Sequence, residues 1–419
     1  MPPVSSLMPL DAFTGPHPPP MVRRFITFPL VLTTALLAGA TGCAITGSCD
    51  SVSQVQARFV DGLKVVTIAR GLDHPWALAF LPDGRMLVTE KPGRIRLIDP
   101  AAPQAPKVIE GLPPVRDEGQ GGLLDIAIDP DYASQPWIYW SYSEPGTGPE
   151  TKLSGTAVAR GRLQGERMAQ VEVIYRQRPK VEGSGHFGSR LVFARDKTLF
   201  ITLGERQKDQ PSNPGRDNAQ NVASALGKVV RIQRDGSIPS DNPRFPGSGA
   251  LPELWSIGHR NPQGAALHPG TGELWISEHG PQGGDEINRV LPGRNYGWPL
   301  ASDGCPYGSL PTESCRVNGG RHAPDFEAPL TTWVPWSIAP SGLAFNTGKR
   351  YPGWEGQLFS GALKGEALWR LRLDGNRVVD REALLKDRLG RIRDVRLGPD
   401  GWLYLLTDGD GGRLIRLER

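Results

Sequence analysis

The sequence predicts an all-β protein, a six-bladed β-propeller with four-stranded antiparallel blades. Three observations carry that prediction. A hairpin pattern recurs six times from about Val60 onward, Gly (52 residues) and Pro (40 residues) are scattered between short apolar runs, and no long helical period competes. A β-sandwich with long loops is the rival architecture, and it would not account for six similar hairpins spread along the whole chain.

Each echo is an alternating apolar run, a turn of Asp, Gly or Pro, and a second apolar run, as in Trp76-Ala-Leu-Ala-Phe-Leu-Pro-Asp-Gly-Arg-Met-Leu-Val-Thr-Glu. The others start at Leu124, Arg190, Ala265, Gly342 and Asp394. They begin roughly 50 to 75 residues apart, enough for a four-stranded blade with loop insertions. Between them lie edge-type strands such as Arg94-Ile-Arg-Leu-Ile, Gly155-Thr-Ala-Val-Ala-Arg, Val229-Val-Arg-Ile and Ala367-Leu-Trp-Arg-Leu-Arg-Leu. The early run Leu63-Lys-Val-Val-Thr-Ile is placed to close the ring against Arg413-Leu-Ile-Arg-Leu. Asn218 to Leu226 supplies a short helix at most.

The N-terminal region reads differently. Residues 1–20 look like an upstream extension, with Met21 as the true start. Residues 21–43 combine Arg23-Arg24 with an apolar run to Ala40 and then Thr41-Gly42-Cys43, the pattern of an export signal. Cys43 resembles a lipoprotein box, although alanine stands where leucine is commoner, so periplasmic release is favoured over lipid anchoring. A single membrane span is the alternative, but the run is short for one and contains Pro29. Residues 44–58 read as a linker and 59–419 as the propeller. Cys305 and Cys315 bracket a loop of turn formers and are expected to form a disulfide in an oxidising compartment. Cys43 could pair with Cys49 only if it is not lipidated.

A net charge of +4 with 22% charged residues asks for no nucleic acid, so basic residues are read one at a time. The densest chemistry flanks one strand: Gly258-His-Arg-Asn-Pro-Gln-Gly before it and Glu278-His-Gly-Pro-Gln-Gly-Gly-Asp-Glu-Ile-Asn after it. Arg260 offers a fork for a carboxylate, and Asn261 and Gln263 offer amides. A structural ion pair with turn-capping amides explains the same stretch equally well.

Gln120 lies between glycines ahead of the second hairpin, where a glycine-rich turn is an equal explanation. His186, with glycines on both sides, precedes the third hairpin and suits proton transfer, a turn contact or metal ligation. Lys364 follows the fifth hairpin. Arg391 and Arg393, two apart on an extended segment, face one side, with a solvated edge paired to Asp394 or Asp387 as the alternative. All of these positions fall at the ends of inner strands, which converge on one face of a propeller. The ligand they imply carries several carboxylates and carbonyls.

Taken in order, Gly119-Gln-Gly-Gly-Leu, Gly185-His-Phe-Gly-Ser-Arg, Gly258-His-Arg-Asn-Pro-Gln-Gly, Glu278-His-Gly-Pro, Asp285-Glu-Ile-Asn, Asn295-Tyr-Gly-Trp-Pro, Gly361-Ala-Leu-Lys and Arg391-Ile-Arg-Asp-Val resemble the soluble quinoprotein sugar dehydrogenases, in particular the bacterial aldose sugar dehydrogenases. The resemblance runs from about Asp61 to the C-terminus. It implies a pyrroloquinoline quinone over the channel, with His186 as the base that takes the sugar's anomeric hydroxyl proton as hydride moves to the quinone, giving a lactone. It also implies that Gln120, Arg260, Asn261, Lys364, Arg391, Ile392 and Arg393 hold the cofactor, with Ser302 and Tyr307 from the variable loop.

Calcium is implied as well, at the carbonyls of Gly280 and Pro281, with a further site at Glu286 and the carbonyl of Tyr296. A turn capped by Asp285 and Glu286 is the bland reading of that last stretch. The Cys305–Cys315 insertion and the segment from Gln207 to Asn218 are where sugar specificity would be set. Expected partners are an aldose and an electron acceptor of unknown identity, with a monomer or a homodimer as the assembly and membrane attachment only through a lipidated Cys43. A calcium-dependent lactonase-like propeller and a non-catalytic glycan- or protein-binding propeller are the competing readings.

Overall fold

A computed structural model describes residues 57–60, 62–209, 217–312 and 314–419. The upstream extension, the export signal with Cys43, Cys49, most of the linker and residues 210–216 of the segment from Gln207 to Asn218 lie outside the described residues.

Six antiparallel sheets follow one another along the chain, and each predicted hairpin forms the two innermost strands of one of them. The innermost strands of blades 1 to 6 are Pro75–Phe80, Leu123–Ile128, Gly188–Phe193, Pro262–Leu267, Pro340–Phe345 and Ile392–Leu397. Each touches the next, and the sixth touches the first, so they form a closed ring. Blade 6 joins the two chain ends: Leu63–Leu72 pairs with Gly412–Glu418, aligning Lys64 with Glu418, whose side chains meet at 2.8 Å. The strand Ala57–Val60 adds a fifth, outermost member, so among the described residues the first strand lies partly inside the stretch read as linker.

The four runs read as edges lie in Arg94–Ile98, Ser154–Gln164, Lys228–Ile232 and Leu368–Asp374, yet these are third strands, bonded on both sides. The actual edges, such as Lys107–Ile109 and Arg377–Leu384, are short or charged and carry little apolar alternation.

Blades pack face to face, which leaves six apolar layers, one between each neighbouring pair, in place of a single core. Strands in the middle of such a stack bury both faces, so Met86–Glu90, Leu199–Leu203 and Leu274–Glu278 are buried throughout. Trp76, Trp140 and Trp275 are fully buried members of these layers.

Inside the ring sits an ion cluster. Arg190 of blade 3 pairs with Asp125 of blade 2 at 3.1 Å and with Asp394 of blade 6 at 3.0 Å, and Arg396 of blade 6 joins both carboxylates. Arg190 also donates to the Gln263 carbonyl of blade 4 and lies 4.2 Å over the Trp76 ring of blade 1. One guanidinium thus reaches five of the six blades.

Candidate active site

The N-terminal ends of the innermost strands and the C-terminal ends of the second strands share one face of the ring, as antiparallel hairpins require. A cavity of about 400 Å³ opens there, lined by Gln120, His186, Gln207, Arg260, His279, Gly280, Pro281, Asp285, Tyr307, Trp336 and Lys364 among others. The structure therefore brings six sequence-predicted residues and Tyr307 of the variable loop to one site.

His186 is held from two directions. It adopts a left-handed backbone (φ 48°) between glycines, and its N–H donates to Gln120 Oε1 at 2.9 Å. Its Nδ1 contacts Glu205 Oε1, which fixes the tautomer and leaves Nε2 with the lone pair. Burial, then Arg260 and Arg206, hold the imidazole well below its ordinary range, so it is neutral. Burial pushes Glu205 up, while Arg260 and the backbone N–H groups of Asp209 and Lys208 pull it down.

Glu205 and Arg206 were not found in the sequence, where Gly204-Glu-Arg reads as an ordinary charged turn just ahead of the specificity segment that starts at Gln207. Arg206 is fully buried against Phe187 and donates to the carbonyls of Gly183 and Gly185, clamping the loop that carries His186. Gln207 faces the cavity.

Arg260 donates from Nη1 to the Gly280 carbonyl at 2.7 Å and from Nη2 to the Tyr307 hydroxyl at 2.9 Å, while its backbone N–H bonds Glu278. Its Nε is buried with no partner among the described residues, as are Asn261 Nδ2 and Arg393 Nε. His279, another residue the sequence left without a role, donates from Nε2 to the Pro340 carbonyl; burial pushes its pKa down to about 3. Asp285 accepts from Gly280, Ile338 and Ala339 N–H groups, fixing the Gly280-Pro281 turn.

Other predicted residues stand behind the cavity wall. Arg391 and Arg393 do share a side, but both reach Asp408 Oδ2, at 2.9 and 3.3 Å, and not Asp387. Their mutual repulsion is thereby already offset within the protein. Arg393 also donates to Gln263 Oε1 at 2.8 Å, and Ile392 between them is fully buried. Ser302 is buried, with its Oγ accepting from Gly304 N–H. The disulfide joins Cys305 to Cys315, holding the loop that presents Tyr307.

Glu286, in the third strand of blade 4, and Tyr296, in the loop leading to its fourth, do not line the cavity. Burial and the neighbouring Glu278 push the Glu286 carboxyl well up, and Asn288, which donates to Glu286 at 2.8 Å, leaves its own Oδ1 buried and unpartnered among the described residues. Acceptors that outnumber the one donor among them suit a hard cation. Tyr296 stacks on His259 with ring centroids 4.6 Å apart.

Fold and site together define a propeller with a polar, ligand-sized cavity at one mouth of its ring, a carboxylate-backed histidine on one wall and a guanidinium on another. The chain belongs to the glucose/sorbosone dehydrogenase family, whose model matches residues 72–416. It is 43% identical over 350 residues, 83% of its own length and 90% of the relative's, to the aldose sugar dehydrogenase YliI of Escherichia coli K12. Among solved structures, the soluble aldose sugar dehydrogenase of Escherichia coli in its apo-form superposes with a TM-score of 0.77 at 41% identity, covering 85% of this chain and 99% of that one. The PQQ-bound aldose sugar dehydrogenase of Streptomyces coelicolor gives 0.67 at 30% identity, covering 87% and 98%.

Proposed function

We propose that this protein oxidises aldose sugars at the anomeric carbon to lactones, using pyrroloquinoline quinone and calcium, after export to the periplasm. The observation that carries the reading is the meeting of His186, backed by Glu205, with Arg260, Lys364 and Gln120 around one cavity. The PQQ-bound relative supports the cofactor. Three buried N–H donors without partners, on Arg260, Asn261 and Arg393, suit a ligand rich in carboxylates and carbonyls. Arg260, Asn261, Lys364, Gln120 and the Arg391–Arg393 segment would hold it.

A bound quinone would supply the acceptor for the hydride that leaves the sugar's anomeric carbon. His186 Nε2 takes the proton of the anomeric hydroxyl, and the carbon–oxygen bond becomes the lactone carbonyl. Glu205, at Nδ1, stabilises the imidazolium that forms. Arg260 and Lys364 offset negative charge gathering at the acceptor. The carbonyls of Gly280 and Pro281 would hold one calcium ion; the Gly280 carbonyl now bonds Arg260, so that guanidinium has to yield it. Glu286 with Asn288 and the Tyr296 carbonyl suits a second ion.

A lactonase-like metal cage finds little support, because the acidic groups at this face are engaged: Glu205 by histidine and amides, Asp285 by three backbone amides, Asp408 by two arginines. The test is to add quinone and calcium to purified apo-protein and follow dye reduction with a panel of aldoses. Reduction with at least one aldose is expected. No cofactor spectrum and no reduction with any sugar would overturn the reading.

A further inference from the structure

Behind the Glu205–His186 contact lies a second buried layer that no motif announced. Glu205 Oε2, the oxygen not used by the histidine, accepts from the Lys208 and Asp209 N–H groups. Asp209 is buried, and its carboxylate reaches across to residues nine and ten positions later: Oδ1 accepts from Asn218 N and Nδ2 at 2.8 Å each, and Oδ2 accepts from Ala219 N at 2.7 Å. The same short turn is gripped from beneath by Lys228, fully buried, whose Nζ donates to the carbonyls of Asn218, Ala219 and Leu226 at 2.9, 2.9 and 2.7 Å. The Ala219 carbonyl also accepts from Gly258 N–H, two residues before Arg260.

An ammonium and a carboxylate buried this deeply are costly unless every oxygen and proton has a partner. Here Lys228 finds three acceptors and Asp209 three donors. Such a site is expensive for merely closing a loop, which a glycine or an asparagine turn does more cheaply. Its geometric effect is to fix the Asp209 N–H that holds Glu205.

We infer that Asp209 is a positioning residue for the base: by clasping Asn218 and Ala219 over Lys228 it fixes the Glu205 carboxylate against His186 Nδ1. This rests on the reading of His186 as the base. Around His186 stand Glu205, Arg206, Arg260 and His279, and around Asp209 stand Glu205 and Lys228, with Asp217 beyond the lysine. Burial moves Asp209 up to about 6 and Lys228 down to about 7, so this layer is poised to respond near neutrality.

The sign of the effect follows from linkage. A carboxylate fixed at Nδ1 favours the imidazolium, so loosening it lowers the histidine's proton affinity and moves the acid limb of kcat to lower pH while weakening the base. Asp209→Asn leaves one acceptor oxygen where two served. It should lower kcat by roughly tenfold to a hundredfold, with KM and quinone affinity within about twofold and the acid limb displaced downward. Asn218→Ala, which keeps both backbone donors and so preserves folding, should act in the same direction more weakly.

A readout independent of turnover is the low-field proton resonance of His186 Nδ1–H in the apo-protein, which should weaken or move upfield in both variants. If either folded variant keeps the wild-type resonance and pH profile, the inference is overturned. A uniform fall in kcat with an unmoved acid limb and an unmoved resonance also overturns it, since a loss of stability alone would do that. Should Asp209→Asn not fold, Asn218→Ala decides. Should wild-type protein with quinone oxidise no sugar, the dehydrogenase reading fails while the resonance still decides the role of Asp209.

Discussion

Arg260 Nη1 donates to the Gly280 carbonyl at 2.7 Å, so a guanidinium suited to an anion and a carbonyl suited to a cation occupy each other. Arg260→Lys keeps the charge but loses the fork that spans Gly280 and Tyr307. A lost charge-assisted bond of about 1.5–3 kcal/mol corresponds to roughly tenfold to a hundredfold weaker quinone binding. Titration of quinone into apo-protein, followed by absorbance, measures this; unchanged affinity would remove Arg260 from the cofactor's contacts.

His186 should titrate below the ordinary histidine range. Burial and the cations Arg260 and Arg206 disfavour its protonated form, so the imidazole stays neutral as pH falls through about 6.5 and takes up a proton only lower. Its ring-proton shift in the apo-protein should stay flat from about pH 8 to about pH 6, values that bracket the ordinary pKa of about 6.5. His186→Ala should retain quinone binding and lose on the order of a hundredfold or more in turnover. Undiminished turnover would mean that another group is the base.

Much of this was legible beforehand, and the boundary has a physical basis. Period-two alternation around Asp-Gly and Pro-Asp turns is local, so all six hairpins and the Leu63–Leu72 closure could be read from the chain. Gly-flanked His186 and the Arg260–Gln263 stretch stood out because glycine and charge at strand ends are rare in a core. The partners did not stand out. Glu205 meets a histidine 19 residues away, Asp408 meets arginines 15 and 17 away, and Arg396 meets Asp125 across 271 residues. Asp125 and Asp394 sit within apolar strands, where alternation hides them, and the short or charged outer strands carry too weak a pattern to be told from loop.

Asp408 gives a stability window. Burial would raise its pKa, but Arg393 and Arg391 outweigh burial and bring it down to about 2. Its contribution should be complete above about 3.9, the unfolded value, and be lost as pH falls through about 2. Asp408→Asn should therefore destabilise the protein at pH 6 and lose that difference at strongly acid pH, as denaturant midpoints at the two pH values would test.

Calcium should stabilise the protein through Glu286. A cation that binds only the folded chain at a hundred times its Kd adds about 2.7 kcal/mol, and the crowded acceptors of Glu286 and Asn288 are the place for it. Thermal unfolding with calcium against a chelator should show a rise in Tm for wild type and a smaller one for Glu286→Gln. An equal rise in both would place the stabilising ion elsewhere.

Removing one member of the ion cluster inside the ring should cost far more than a surface pair. Asp125→Asn leaves Arg190 and Arg396 short of a counter-charge in a buried setting, an expected loss of about 3–5 kcal/mol in denaturant unfolding. A loss below about 1 kcal/mol, the range of exposed pairs, would mean that water reaches the cluster.

That cluster has a traffic consequence. Arg190, paired with Asp125 and Asp394 and stacked on Trp76, fills that level of the ring with side chains from blades 1, 2, 3 and 6. In the proposed reaction, sugar and product would then share the face that carries Tyr307 and Trp336.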